Sequence, residues 1–172
     1  MHTHSKNPSR FLVENMGLLP KGPVLDVAMG DGRNAVYLAS KGFQVEGIDV
    51  SEKAIDDAKK LAHDNNVKIN THIVDLEKDT FIEENRYDVI ICFNFLQRSL
   101  IPAIKEGLRP GGLIVYETYI IDQARFGRPT NPEYLLKHNE LLDLFKDFRC
   151  LRYHEGIYAD KKAAAGIVAE KH

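Results

Sequence analysis

The stretch that decides the fold is Val24-Leu25-Asp26-Val27-Ala28-Met29-Gly30-Asp31-Gly32-Arg33-Asn34. It predicts a short buried strand, then a turn that contains Gly30 and Gly32, then a helix from about Asn34 to Lys41. Because glycine lacks a Cβ atom, the backbone can turn tightly at these positions and a ligand can approach closely. The unpaired N–H groups and positive dipole end of the helix face the same turn. These features predict a nucleotide-type binding edge, although glycine turns between strands and helices are also common for structural reasons alone.

Strand-like and helix-like segments alternate along the rest of the chain. Further strands are predicted at 43–48, 67–74, 87–93, 113–117, 148–154 and 164–169, and further helices at 51–63, 101–108 and 140–145. The alternation predicts a parallel sheet with helices on both faces, and the last two strands predict an antiparallel hairpin at one edge. Residues 1–22 are predicted to form an N-terminal extension, with a helix over 11–19 that packs Phe11, Leu12 and Leu18. Residues 23–172 are predicted to form one domain.

The composition is that of an ordinary globular protein. The chain has 172 residues, of which 44% are hydrophobic and 28% charged, and its formal net charge is −2. This balance gives no electrostatic footprint for nucleic-acid binding, no apolar run has the length of a membrane span, and no secretory signal pattern is visible. We therefore expect a cytoplasmic protein that acts on a small molecule, as a monomer or a homodimer.

Cysteine and histidine usage predicts no disulfide and no metal site. Cys92 and Cys150 each lie within an apolar, strand-like run, so both are predicted to be buried free thiols. The seven histidines are scattered along the chain, which predicts no metal-binding cluster. His63, His72, His138 and His154 are predicted to occupy surface positions or to pack at an edge.

Acidic residues stand at the ends of two predicted strands. Asp49 follows the glycine turn by about 20 residues, the spacing at which a carboxylate accepts both hydroxyls of a ribose. The alternative is that Asp49 caps or supports the helix near Ser51. Asp75 could accept from the exocyclic amine of adenine while Leu76 lies against the ring; the alternative is a solvated turn carboxylate. Both predictions depend on a parallel sheet, whose carboxyl edge collects these side chains.

Asp26 is an acidic residue inside an otherwise apolar strand. A buried carboxylate needs a partner, and the ammonium group of a ligand would serve. A structural hydrogen bond to the glycine turn is the alternative.

Together these motifs resemble those of the class I S-adenosylmethionine-dependent methyltransferases over residues 24–169. The most discriminating segment is Leu108-Arg109-Pro110-Gly111-Gly112, directly before the fifth predicted strand. The run Gly32-Arg33-Asn34, the small size and the pair Glu117-Thr118 resemble the tellurite-resistance-type branch of that family. Ala28 departs from the pattern because most members carry a glycine there, and we expect a slightly tighter site rather than a lost one.

The resemblance implies a Rossmann-like, doubly wound α/β sheet of seven strands, mostly parallel with an antiparallel last strand. It implies that S-adenosylmethionine lies across the carboxyl ends of the first strands. Asp26 would hold its ammonium, and Arg33 would meet its carboxylate or instead form a surface ion pair. The implied cofactor-binding residues are Asp26, Ala28, Gly30, Gly32, Arg33, Asp49, Asp75, Leu76 and Phe93.

The methyl acceptor is expected to be small and soft or anionic: a chalcogen oxyanion, a thiol, a small carboxylate or a phenol. Asn94, Tyr119, Arg125 and Arg128 are the predicted acceptor-side residues, with Phe126 as a cover, because a long irregular loop inside a compact domain is usually functional. Two arginines suit an anion, and the alternative is that they hold the loop to acidic surface or to the Asp122 backbone. No residue of the sequence demands the role of a general base.

Two other classes of protein share part of this pattern. A nicotinamide oxidoreductase also uses a glycine turn and an acid after the second strand, but it would carry a third glycine after Gly32, where this sequence has Asn34, Ala35 and Val36. A non-catalytic cofactor-binding protein is the second alternative, because methyl transfer makes no catalytic residue compulsory.

Overall fold

A seven-stranded sheet forms the centre of the protein in the computed structural model, which describes residues 7–79 and 81–172. The strands are β1 (Pro23–Val27), β2 (Gln44–Asp49), β3 (Asn70–Ile73), β4 (Tyr87–Phe93), β5 (Leu108–Tyr119), β6 (Arg149–Ile157) and β7 (Ala163–Glu170). They lie in the order β3-β2-β1-β4-β5-β7-β6. Strands β1 to β5 pair in parallel, and β7 pairs antiparallel with both β5 and β6. The predicted sheet and its antiparallel edge hairpin are confirmed.

Helices cover both faces of the sheet, as predicted. They are α1 (Arg10–Asn15), α2 (Arg33–Ser40), α3 (Glu52–Asp64), α4 (Ile101–Gly107) and α5 (Glu140–Leu144). On one face α1, α2 and α3 contribute Leu12, Leu38 and Ile55 to a buried apolar cluster. On the other face α4 and α5 contribute Ile104 and Leu141 to a second cluster. Burial of this apolar area from water is the main force that holds the layers together. No helix within the described residues is long and apolar enough to span a membrane.

The strands that follow β1 in the sequence lie on both sides of it in the sheet, and this reversal of strand order creates a crevice. β2 and β3 extend the sheet to one side of β1, whereas β4 and β5 extend it to the other. In sheets of this kind ligands bind beyond the carboxyl ends of the strands at the point where the order reverses. The glycine turn after β1 lies at this point.

Two strands differ in length from the predictions. β3 covers only Asn70–Ile73 and forms an exposed edge, although a strand was predicted at 67–74. β5 begins at Leu108 and includes the Arg-Pro-Gly-Gly segment, which was predicted to lie between the helix and the fifth strand. Gly111 takes a left-handed conformation and donates its N–H to the carbonyl of Lys171 at 2.8 Å, so this segment continues along the sheet.

Two burial predictions were wrong for local reasons. Leu18 is exposed and Leu19 is buried in its place, because α1 ends at Asn15 and the tighter turn that follows rotates the chain. Cys92 is buried in β4 as predicted, but Cys150 is exposed because it lies on β6, the edge strand, next to an irregularity in its pairing with β7.

Candidate functional site

The turn after β1 is built from left-handed residues. Ala28, Gly30 and Gly32 have φ angles of +54°, +57° and +82°. A Cβ atom at Gly30 would meet open space, whereas at Gly32 it would lie 2.6 Å from the Cβ of Ala58 in α3. Gly32 is therefore needed for the close approach of α2 to α3, and Gly30 is the glycine that borders solvent. Ala28 takes the left-handed conformation without being glycine, at a cost of about 1–2 kcal/mol.

Asp26 is a buried acid whose hydrogen bonding is incomplete. The residue is 2% exposed, and no partner for its Oδ2 atom lies among the described residues. Burial, together with the nearby charge of Asp49, raises the pKa of Asp26 well above its ordinary value, against the opposing effects of the Arg33 charge and the Ala35 N–H. A buried carboxyl oxygen that lacks a donor is costly unless a ligand supplies one. Asp26 therefore has the chemistry of a receptor for a cationic group.

Asp49 joins the glycine turn to the end of β2. Its Oδ2 accepts from the Gly30 N–H and its Oδ1 from the Ser51 N–H, both at 2.9 Å. Ser51 caps α3 by accepting from the Ala54 N–H, so the cap that the sequence indicated is confirmed and Asp49 is not the N-cap. Each oxygen of an ionised carboxylate has a second acceptor position. Asp49 can therefore still accept hydroxyl groups from a ligand beside Gly30.

The other predicted cofactor residues lie around the same edge. Asp75 forms a turn in which its side chain accepts from the Glu77 N–H at 3.0 Å, and the partly buried Leu76 packs against the core. Arg33 begins α2, lines a cavity, and forms no ion pair among the described residues. Phe93 ends β4 with its side chain buried on the same face of the sheet as α1, α2 and α3. The turn of Asp75 matches the structural alternative, and a second role for this carboxylate stays a prediction.

Three of the four predicted acceptor-side residues meet in one cavity. Asn94, Tyr119 and Arg128 line a space of about 640 Å³ together with Phe95 and Tyr134. No carboxylate of the described chain pairs with Arg128. The cavity therefore offers a free cation beside polar and aromatic groups, which suits a small anion.

Arg125 does not line that cavity. Its guanidinium pairs with Asp122 at 2.9 Å, and its side chain is 68% exposed. His138 approaches the other oxygen of Asp122 at 2.5 Å, and Phe126 is 38% exposed. This ion pair corresponds to the alternative in which the arginine holds the loop, here through the Asp122 side chain.

The sequence interpretation missed one cluster of polar residues. Glu117 of β5 is 5% exposed, accepts from His154 of β6 at 2.9 Å, and lies 3.4 Å from the ammonium of Lys162. The hydroxyl of Tyr158 contacts the same imidazole. The sequence feature that could have indicated the cluster is Glu117, an acid near the end of a predicted strand that is otherwise apolar.

The sheet order and the site residues together define a class of protein. Seven strands in this order, a glycine turn after β1 and acids at the following strand ends form the Rossmann-like fold of class I methyltransferases. The crystal structure of TehB from Haemophilus influenzae shares this fold with a TM-score of 0.79 and 24% identity, over 94% of this chain and 61% of that chain.

Sequence comparison gives the family. The TehB family, described as tellurite resistance protein TehB, matches residues 3–166, and the chain belongs to that family. It is 31% identical to a probable S-adenosyl-L-methionine-dependent methyltransferase TehB of Haemophilus influenzae, over 78% of this chain and 48% of the relative. It is 29% identical to a ubiquinone biosynthesis O-methyltransferase of Hydrogenovibrio crunogenus, over 67% of this chain and 50% of the relative. The chain spans about half the length of these curated relatives.

Proposed function

We propose that this chain transfers a methyl group from S-adenosylmethionine to a small soft or anionic acceptor. The observation that carries the proposal is the buried Oδ2 atom of Asp26, which lacks a partner in the described chain at the end of a strand that leads into an open glycine turn. A positively charged ammonium would satisfy this atom. Membership of the TehB family supports the proposal, as do relatives whose names state methyl transfer.

The side chains around the turn fit the parts of this cofactor. Asp26 would accept from its ammonium, and Arg33, which forms no ion pair among the described residues, would bind its carboxylate. Asp49 would accept from the ribose hydroxyls with the acceptor positions that Gly30 and Ser51 leave unused. When bound, the cofactor supplies a methyl group that its positively charged sulfur already activates. The chain's own residues then need to orient the acceptor and exclude water.

We assign the acceptor side to Asn94, Tyr119 and Arg128. Their cavity lies beyond the ends of β4 and β5, next to the strand end that carries Phe93, one of the predicted cofactor-binding residues. The Arg128 charge would hold an anionic acceptor, and holding the reactants in line can remove about 7–11 kcal/mol of the barrier. Arg125, whose charge is matched by Asp122, would hold the loop.

The proposal is tested by titration calorimetry with S-adenosylhomocysteine and, in parallel, with NAD. We expect S-adenosylhomocysteine to bind and NAD to show no binding. Asp49→Ala leaves buried ribose hydroxyls unpaired and should weaken binding by about 1–3 kcal/mol. The control variant is Asp57→Ala, which removes a carboxylate that pairs with Lys53 on the exposed face of α3.

Two outcomes would contradict the proposal. The first is an affinity for S-adenosylhomocysteine that Asp49→Ala does not change. The second is binding of NAD but not of S-adenosylhomocysteine, which would favour an oxidoreductase. Tight binding of the cofactor without methyl transfer to any small acceptor would favour the non-catalytic alternative.

A further inference from the structure

Glu117 and His154 belong to strands that do not pair with each other. β7 lies between β5 and β6, and Gly166 of β7 is the partner of Glu117 on one side and of His154 on the other. Neighbouring strands are about 4.8 Å apart, so strands separated by a third lie nearly 10 Å apart. A Cβ atom at Gly166 would lie 2.5 Å from the Nε2 atom of His154. The bare backbone of Gly166 therefore makes the space in which the carboxylate and the imidazole meet.

The hydrogen bonds assign a role to each nitrogen of His154. Burial would raise the pKa of Glu117, but the hydrogen bond from His154 and the Lys162 charge outweigh burial and lower it. Glu117 is thus an ionised acceptor, and Nε2 of His154, 2.9 Å away, must donate to it. In the neutral imidazole Nδ1 then carries a lone pair; the Tyr158 hydroxyl contacts Nδ1 and also lies 2.8 Å from Nε2. An imidazole that a carboxylate orients in this way can act as a general base through its other nitrogen.

The Tyr158 hydroxyl indicates which kind of donor can approach Nδ1 of His154. Burial and then the charge of Glu117 raise the pKa of Tyr158 to about 12, so its phenol stays protonated and donates. Tyr158 is 40% exposed and lies beyond the end of β6, in the turn before β7. A partly exposed phenol in contact with Nδ1 occupies the position that the O–H group of a phenolic acceptor would take.

The pair opens onto a cavity that also reaches the predicted cofactor side. Glu117, His154, Tyr158 and Lys162 line a space of about 1010 Å³. Among the described residues, the other titratable or charged groups that face this space, from α1, α2, β6 and the turn that follows it, are Arg10, Glu14, Arg33, Arg152, Tyr153 and Asp160. Arg33 begins the helix after the glycine turn, and the Glu117 carbonyl accepts from the Asn94 N–H at 2.9 Å. The cavity therefore reaches the predicted cofactor side at Arg33, and Glu117 in its wall is joined through its backbone to Asn94, which lines the acceptor cavity.

We infer that His154, oriented by Glu117, is the general base that deprotonates a phenolic methyl acceptor. The inference rests on the proposed function. The acceptor O–H gives its proton to Nδ1 of His154. The oxygen electron pair forms the new bond to the methyl carbon, and the electrons of the broken carbon–sulfur bond stay on sulfur, which becomes neutral. The proton then passes from His154 to water.

If the role of His154 were purely structural, the kinetic result would be different. The imidazole also packs edge-on against Phe11 of α1, with ring centroids 4.9 Å apart, so the cluster could simply hold α1 to the sheet. Loss of a structural contact would slow every acceptor equally. Loss of a general base affects most strongly the acceptors that need to be deprotonated.

The experiment measures transfer of labelled methyl from S-adenosylmethionine to phenols whose pKa values lie below, near and above about 10, the value of tyrosine. His154→Gln keeps a donor toward Glu117 but cannot accept the proton. We expect it to lower kcat about 10²–10⁴-fold for phenols that are neutral at the assay pH. Phenols that are already ionised should lose much less.

Further variants distinguish a general-base role of His154 from a structural role. Tyr158→Phe should keep or raise activity because it removes the competing phenol, and Glu117→Gln should lower kcat for neutral phenols because the imidazole loses the carboxylate that orients it. Gly166→Ala should act like His154→Gln, because the new Cβ displaces the ring. The control is His63→Gln, which removes an exposed histidine that lies 3.7 Å from Asp64.

A spectroscopic readout needs no turnover. 4-Nitrophenol bound to the protein should ionise at lower pH than in solution, and His154→Gln should abolish this shift. An equal loss of rate for all phenols, an unchanged spectral shift, or transfer only to acceptors without an O–H group would overturn the inference and leave the proposed function standing. Absence of cofactor binding in the wild type would instead refute the proposed function.

Discussion

Replacing Asp26 by asparagine separates a cofactor role of this residue from a structural one. The side chain is 2% exposed and its Oδ2 atom has no partner within the described chain, so the fold of the free protein does not depend on a hydrogen bond to that atom. Asparagine has nearly the same shape but no charge. A charge-assisted hydrogen bond contributes about 1.5–3 kcal/mol, so the variant should bind S-adenosylhomocysteine roughly ten- to a hundredfold more weakly.

The same change should alter how stability depends on pH. Burial and Asp49 raise the pKa of Asp26, so the folded chain binds more protons than the unfolded chain above the ordinary aspartate value of about 3.9. The free energy of unfolding of the wild type therefore falls as pH rises from that value through the raised pKa, and then levels off. Asp26→Asn removes this contribution, so urea denaturation of the free variant should show a smaller decrease over that range.

Titration calorimetry and urea denaturation test the two effects on one sample. The matched control is Asp31→Asn, which changes an acid of the same turn whose side chain accepts from the Arg33 N–H at 3.5 Å. Unchanged affinity of Asp26→Asn, or equal weakening by Asp31→Asn, would refute the reasoning. A wild-type stability that rises with pH through the same range, with no difference from Asp26→Asn, would refute the account of the buried acid.

Four further variants follow from the geometry. Gly32→Ala places a Cβ 2.6 Å from that of Ala58 and should lower the free energy of unfolding by about 1–3 kcal/mol in urea denaturation. Ala28→Gly relieves a left-handed alanine, so it should leave the melting temperature unchanged or raise it, without loss of cofactor affinity. Arg128→Ala should raise the KM of an anionic acceptor, because it weakens the apparent free energy of binding by about 1.5–3 kcal/mol. Arg125→Ala breaks an exposed ion pair and should change this free energy by less than about 1 kcal/mol.

Each of these predictions has an outcome that would contradict it. Normal stability of Gly32→Ala with lost cofactor binding would mean that this glycine faces the ligand. A large drop in melting temperature for Ala28→Gly would mean that the alanine side chain packs usefully. Equal effects of the two arginine variants would place both charges on the acceptor.

The sequence predicted the sheet well because its signals are local. The glycine turn, the Ser51 cap and the apolar strands each depend on residues a few positions apart, and each strand was found. The extension of β5 through Gly111 and Gly112 was missed, because those residues favour a turn in isolation and are held in the strand by hydrogen bonds to Lys171 near the C-terminus.

The candidate site was less predictable because its contacts join distant parts of the chain. Glu117 and His154 are 37 residues apart, and they meet only because Gly166 of a third strand has no side chain. His154 was predicted to occupy a surface position or to pack at an edge, and it lies on the edge strand, but no local pattern indicated its carboxylate partner. The pairing of Arg125 with Asp122 was considered only as an alternative, since a sequence does not show which charges in a loop meet.

The central claim is that a methyl group passes from S-adenosylmethionine, bound at the glycine turn, to a small acceptor. The most direct measurement is a transfer assay with cofactor labelled in its methyl group over chalcogen oxyanions, thiols, small carboxylates and phenols. We predict that label appears in at least one of these small acceptors, and that Asp26→Asn reduces the transfer at subsaturating cofactor while Asp31→Asn does not. Label that appears only in protein or RNA, or in no acceptor although the cofactor binds, would contradict the account.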